Sequence, residues 1–314
     1  MVTEPSTGPA RYTSSHGFEI SGDVGLFGLR LATGRPTLRI RRGLVDRPSK
    51  GRMVGHWPAI PDKRAEVSVV AVDAGCHVVT VGEMARFLVD TGESSIVAQY
   101  APPLPRMMET TTLMSSPAAL SIARRGQLAI HAGAVEIDGR SVLLAAPGTG
   151  GKTTFAAAFH IAGHRVLSDD LVGVDPTGWV EPAVALLRLR TDAADALAAR
   201  LDDVSLLLED VGKRFFEIAE HRRGDGAAVP AAAIVFLAWS ADGHVAVEEV
   251  ASSAAIQDLW RLSFYLQSEP GPAETFERLA ALVDRVPCFV MRRPRDLDRL
   301  DEGVSLVENL LESL

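Results

Sequence analysis

The chain of 314 residues contains only two cysteines, Cys76 and Cys288, far apart and each among apolar neighbours. That number excludes a disulfide-built scaffold and suits a reducing compartment, so the cytoplasm is the expected location. Aromatic residues make up 6% of the chain, and no apolar run approaches the roughly 20 residues a membrane span needs. The opening "MVTEPSTGPARYTSSHG" lacks the charged-then-apolar pattern of a secretion signal, and residues 1–16 are expected to form a flexible leader. Positive charge is scarce as well. A net charge of −8 argues against general nucleic-acid binding, which leaves a basic footprint. One stretch departs from this: "RPTLRIRRGLVDRPSKGR", Arg35 to Arg52, holds a single acid, Asp46. It reads either as a solvated strand-and-loop face or as a docking surface for an acidic peptide or protein.

Hydrophobic residues reach 47% and charged residues 23%, the profile of a globular protein with an ample core. No internal repeat is present. Residues 17–110 hold short β-type runs, "GLFGLRLA", "TLRIRR", "EVSVVAV", "HVVTV" and "SSIVAQY", separated mostly by turn-forming residues. They predict a smaller β-rich module, with one short helix expected from "VGEMARFLVD". The prolines of "APPLPRMMETT" mark a boundary, and residues 111–314 are expected to form a second domain. There "LMSSPAALSIARRG" predicts a helix stopped by Gly126, and "QLAIHAGAVEIDGRSVLLAAP" two strands joined by the turn "IDGR". Next come an Ala/Phe helix, a strand "RVLSDDLVGVD", a helical "DAADALAARLDDVSLLLEDV", a buried strand "AAAIVFLAWS", the amphipathic "IQDLWRLSFYL", the strand "CFVMRRPRDLDRL" and a closing helix. Strands alternating with helices give an α/β fold with a mostly hydrophobic sheet.

The chemistry concentrates in Ala146-Pro147-Gly148-Thr149-Gly150-Gly151-Lys152-Thr153, followed by Thr154. The phosphate-loop pattern G-x-x-x-x-G-K-[ST] cradles phosphates with backbone N–H groups at a helix N-terminus, its Lys on the terminal phosphates and its Ser/Thr hydroxyl on Mg²⁺. Here Ala146 replaces the first glycine, which is tolerated where φ stays negative. The alternative is an ordinary Gly-rich strand-to-helix turn. His131 precedes the hairpin and Ser168-Asp169-Asp170 follow the helix. Two adjacent acids on a strand point to opposite faces. One division is that Asp169 helps order the metal or the loop while Asp170 accepts a proton from an incoming hydroxyl; the other reading of the pair is a solvated strand end. His131 reads either as a structural histidine or, neutral, as one that orders the acid or touches the terminal phosphate. Lys213 and Arg214 in "GKRFFEI" read as phosphate or substrate contacts or as an exposed turn, and Arg292-Arg293 as a strand-end surface feature.

The segment "HAGAVEIDGRSVLLAAPGTGGKTTFAAAFHIAGHRVLSDDLVGV" resembles the core of HPr kinase/phosphorylase and its shorter relatives, some of which phosphorylate the C-terminal serine of lasso-peptide precursors. The resemblance covers roughly residues 125 to 175. It implies a P-loop kinase core in which Lys152 and its loop hold ATP phosphates, Thr153 ligates Mg²⁺, Asp170 accepts the substrate proton and His131 is the active-site histidine. The family's Glu-x-Arg-Gly-Leu-Gly type segment is missing; Glu181 and Arg188 or Arg190 in "EPAVALLRLR" stand nearest. Reverse phosphorolysis and HPr as acceptor are therefore not expected. The expectation is an ATP- and Mg²⁺-dependent kinase acting on a serine-type hydroxyl of a peptide or protein, presented by the N-terminal module. A small hydroxyl metabolite such as free serine, and a nucleotide-binding regulatory protein, are the alternatives. No nucleic-acid or membrane partner is expected, and a homo-oligomer is left open.

Overall fold

A computed structural model describes residues 10–31, 35–59, 65–102, 104–210, 212–267 and 271–314. Its first sheet runs β3-β1-β2-β4-β9-β8-β7-β6-β5, from β1 (Ala10–Ser15), β2 (Phe18–Gly22), β3 (Arg30–Leu31), β4 (Leu38–Arg42), β5 (Arg52–Trp57), β6 (Val67–Asp73), β7 (Cys76–Val81), β8 (Ala85–Asp90) and β9 (Ser95–Tyr100). Two helices follow, α1 (Arg106–Leu113) and α2 (Ser116–Arg124). The second half opens with β10 (Leu128–Ile130), β11 (Ala132–Ile137), β12 (Arg140–Ala145), α3 (Lys152–Ile161), β13 (Arg165–Ser168), β14 (Val172–Val174) and β15 (Trp179–Glu181). It continues through β16 (Leu186–Arg190), α4 (Thr191–Leu197), β17 (Val204–Asp210), β18 (Lys213–Ile218) and β19 (Val229–Trp239). It ends with β20 (Ala246–Glu249), α5 (Ser252–Leu262), α6 (Pro272–Arg285), β21 (Cys288–Arg293) and α7 (Leu300–Ser313).

The second sheet is mixed. Its long central strand β19 lies parallel to β12 and β21, while β11 runs antiparallel between β12 and β13. Strands β16, β18 and β17 form a third, antiparallel sheet. The fold is mixed α/β, as the alternation of elements implied. The β11–β12 hairpin turns at Asp138 (φ 48°) and Gly139 (φ 74°), the left-handed pair of a tight hairpin turn. Half of helix α3 is Ala and Phe, good formers and good core fillers respectively. Phe155 and Phe159 are fully buried, meet edge to face at 5.0 Å, and each adds about 1.5–3 kcal/mol by burial. That packing fixes the helix N-terminus against the end of β12.

Several expectations need correction. Residues 1–9 of the expected leader lie outside the described residues, but residues 10–15 form β1, paired along β2. "VGEMARFLVD" is not a helix: Val81 closes β7, a turn follows, and Ala85–Asp90 is strand β8. Its alternate residues Ala85, Phe87 and Val89 are buried, and ladders on both sides outweigh its helical composition. Among the described residues of "GLFGLRLA" only Arg30–Leu31 is a strand. The helix expected through "LDDVSLLLEDV" stops at Leu197, and Val204–Asp210 is instead edge strand β17. The boundary at residue 110 falls inside α1. Leu113, Leu120 and Ile122 of α1 and α2 share one core with the first sheet, and so do Ala129, Leu171 and Leu266 from the second half.

Candidate functional site

Strand β12 ends at Ala145, and the loop from Ala146 to Gly151 turns into α3. Ala146 is buried, whereas Pro147, Gly148 and Thr149 are exposed at the tip. A side chain at Gly150 would collide with Ala146, and Gly151 has φ 84°, a conformation that disfavours L side chains. The turn is thus tight at its base and open at its tip. The first N–H groups of α3 have no partner within the helix, which leaves them for an anion.

Lys152 is 7% exposed. Its Nζ donates to the Ala146 carbonyl at 2.7 Å and to His131 Nε2 at 3.2 Å. A lysine ammonium only donates, so His131 Nε2 is the acceptor and the proton sits on Nδ1. Nδ1 in turn lies 3.1 Å from the Asp170 carbonyl and 3.2 Å from Asp170 Oδ1. Burial, then the neighbouring Lys152 and Arg188, push the His131 pKa below its ordinary value against the pull of Asp170. Burial likewise lowers the Lys152 pKa, countered by the two carboxylates.

The acid pair is not on a strand. Asp169 and Asp170 occupy the bend between β13 and β14, so the opposite-faces expectation fails and one cation serves both. Arg188 of β16 reaches Asp169 Oδ2 with Nε at 3.2 Å and Asp170 Oδ1 with Nη2 at 2.8 Å. Its backbone N–H adds a third bond to Asp169 Oδ2 at 3.1 Å. Burial would raise the Asp170 pKa, but Arg188 and His131 outweigh it and hold the carboxyl well below the usual carboxylate range. Charges therefore alternate from Lys152 through neutral His131 to Asp170, Arg188 and Asp169.

A metal ion meets unequal candidates here. The Thr153 hydroxyl at the second position of α3 is half-buried and suits a Mg²⁺ that keeps most of its waters. Asp169 fits less well. One carboxylate oxygen is taken by Arg188, and the other, Oδ1, is buried with no hydrogen-bond partner beside a guanidinium that repels cations. Thr154 is half-buried on the first turn of α3.

Arg188 was one of three candidates for the missing family segment. Glu181 instead lies against the turn at Gly17, and Arg190 pairs outward with Asp192. Lys213 opens β18 opposite Arg190 as an exposed residue, and partial desolvation followed by the charge of Arg188 lowers its pKa. Arg214 turns away to Asp195 and Glu209. Arg292 is an outward residue beside Glu248, but Arg293 is not a surface feature. It is 5% exposed, donates to the Gly150 carbonyl at 3.2 Å, and lies 4.5 Å from the Trp239 ring centre. Burial lowers its pKa to about 10. Period-2 alternation from the buried Met291 would have put Arg293 on the inner face.

One contributor had no signal in the sequence. His16, at the turn between β1 and β2, is 1% exposed with φ 57°, unusual for a non-glycine residue. Its Nε2 donates to the Leu171 carbonyl at 2.8 Å, and Ser15 Oγ donates to its Nδ1 at 2.7 Å. Ser168 Oγ donates to the same Leu171 carbonyl at 2.6 Å.

No helix among the described residues is long and apolar enough to cross a membrane. No family model matches the chain, and no curated protein matches it. One solved structure similar to it is the HPr(Ser) kinase/phosphatase from Coxiella burnetii, at 10% identity and a TM-score of 0.30, covering 59% of this chain and 97% of that one. A likeness that slight has no bearing on what this chain does.

Proposed function

We propose that the protein is an ATP- and Mg²⁺-dependent kinase that moves a phosphoryl group to a serine-type hydroxyl of a peptide or protein, a lasso-precursor-like acceptor being one example. The observation that supports this is the continuous link from Lys152, at the start of α3, through His131 to the carboxylate of Asp170. A helix start with unpartnered N–H groups and a lysine suits a polyphosphate, and an ionised carboxylate one histidine away suits an alcohol.

Thr153 would hold a Mg²⁺ ion, which would offset the charge of the γ-phosphoryl group brought by ATP. Lys152 keeps its ammonium on the loop and neutralises negative charge there. His131, neutral and fixed in one tautomer, holds Asp170 in position. Arg188 keeps Asp170 ionised, which makes it a weak base. It orients the hydroxyl by accepting its hydrogen bond and takes the proton late, after the phosphorus–oxygen bond has largely formed.

The test is [γ-³²P]ATP with serine-containing peptides, with free serine and with no acceptor. Label on a peptide is expected. Lys152→Ala should lose both nucleotide binding and transfer. Asp170→Asn should keep nucleotide binding and lose transfer by about 10²-fold or more, because an amide cannot take a proton. Label appearing only as free phosphate, whatever the acceptor, would reject the reading.

A further inference from the structure

The bend from Ser168 to Leu171 does more than face the phosphate loop. It also lines a crevice of about 370 Å³, open solvent included. The crevice shares Asp169, Asp170 and Arg188 with the site, but neither His131 nor Lys152 lines it. Its other walls come from both halves of the chain: His16 of the first sheet, Thr110 and Thr111 of α1, and Val184 and Leu186 entering β16.

We infer that this crevice is the acceptor site, and that it takes a hydroxyl carried on an uncharged, aliphatic-flanked chain segment. The inference rests on the phosphoryl-transfer reading, and it names which acceptors that reading admits. Asp170 is the shared element, so an alcohol in the crevice reaches the carboxylate without crossing the loop. In the step, the acceptor oxygen forms a bond to the γ-phosphorus of a nucleoside triphosphate. The bond from that phosphorus to the β–γ bridging oxygen breaks, its electron pair leaving with the nucleoside diphosphate, and the acceptor proton passes to Asp170.

Charge selects the class. Two carboxylates and one guanidinium leave the walls at −1, and His16 adds nothing, since burial keeps its imidazole neutral at pH 7. Arg188 is committed to both acids, so no cation is spare for a carboxylate next to the acceptor hydroxyl. An ammonium fares no better. It would be desolvated against Met114, Leu171, Val184 and Leu186, while Asp170 already holds Arg188 and His131. The Thr110 and Thr111 hydroxyls donate to carbonyls of their own helix, Arg106 at 3.3 Å and Met108 at 3.1 Å. Thr110 is fully buried and already accepts from the Phe27 N–H at 3.4 Å, whereas the Thr111 hydroxyl keeps lone pairs able to accept an amide N–H of a bound segment. The enclosed part of the crevice is only about 40 Å³, room for a small group such as a hydroxymethyl rather than a folded surface.

The test needs no nucleotide. Ligand-observed NMR would follow a capped alanine-leucine-serine-leucine-alanine peptide against the full chain, beside the same peptide with aspartates in place of its leucines. The neutral peptide should bind, and the acidic one should bind about fivefold more weakly. Val184→Trp and Thr111→Trp fill the crevice from different walls. Either variant that keeps a cooperative melt should weaken the neutral peptide by about tenfold or more. Equal binding of both peptides, undiminished binding to a folded filled variant, or no binding of the neutral peptide would overturn the assignment. A failure of the kinase reading shows elsewhere, as ATP that fails to bind or peptide that is never labelled.

Discussion

Removing Arg188 tests the electrostatic logic of the site most directly. Arg188→Met keeps the length of the side chain and deletes its charge. It strands Asp169, 4% exposed, with only the backbone N–H of residue 188 left as a donor at 3.1 Å. Breaking a buried ion pair from one side costs about 3–5 kcal/mol, and the partial exposure of Arg188 points to the lower end, about 3 kcal/mol. For a chain of this size that lowers Tm by about 5–10 °C. The pH dependence follows from Asp170, whose pKa Arg188 and His131 depress in the folded state. A depressed carboxylate adds stability above its ordinary pKa of about 4 and loses it as pH falls toward the folded value. The gap between wild type and variant should therefore stay constant from about pH 8 to 5 and narrow below about 4. Adding Asp169→Asn to Arg188→Met removes the stranded charge and should recover more than half of the loss. The assay is urea unfolding followed by circular dichroism. A loss under about 1 kcal/mol, or no recovery in the double variant, would show that the acids do not depend on this guanidinium.

Gly151→Ala puts a methyl group against the Arg293 guanidinium at φ 84° and should raise the nucleotide KM about tenfold in the kinase assay, with an intact fold by circular dichroism. His16 is lowered from 6.5 to about 4 by burial, so the unfolded chain binds its proton first and stability falls by about 3 kcal/mol between pH 7 and 4. His16→Asn tolerates positive φ and should flatten that slope in denaturant titrations, whereas an unchanged slope would assign it to other groups. Because His131 stays neutral to below the ordinary histidine value, kcat at saturating substrate should be flat from about pH 8 to 6.5.

The parts of the site that could be read along the chain are those whose partners are close in sequence. The β11–β12 hairpin, the loop and α3 need only local chemistry, and all three lie where "IDGR", "PGTGGK" and the Ala/Phe run put them. The acid pair was visible as residues but misplaced. "RVLSDDLVGV" carries apolar runs on both sides of the acids and reads as one strand, whereas the chain bends at Asp169-Asp170 to bring both carboxylates to Arg188, 19 and 18 positions later. Arg293 meets Gly150 across 143 positions and His16 meets Leu171 across 155, and no local pattern reports contacts of that range. Strand β8 failed for the reason opposite to the hairpin's success. Its composition favours a helix, and only pairing with two neighbours settles it.

The bend carrying the acids has no ladder to satisfy its carbonyls, and buried carbonyls need donors. His131 Nδ1 lies against the Asp170 carbonyl, while His16 and Ser168 donate to that of Leu171. Arg188 holds the carboxylates from a third sheet. Every grip comes from a different element, and one of them, His16, sits in the turn between β1 and β2 of the first sheet. That sheet therefore takes part in fixing the bend that carries Asp170. The shared core makes the same point in apolar terms, since Leu171, one residue past Asp170, packs in the cluster of Phe18, Ile20 and Phe87. A change in how the first sheet packs reaches the acid through one hydrogen bond and one buried leucine. The proline-rich break near residue 105 is for that reason not a line along which the chain can be cut without disturbing the site.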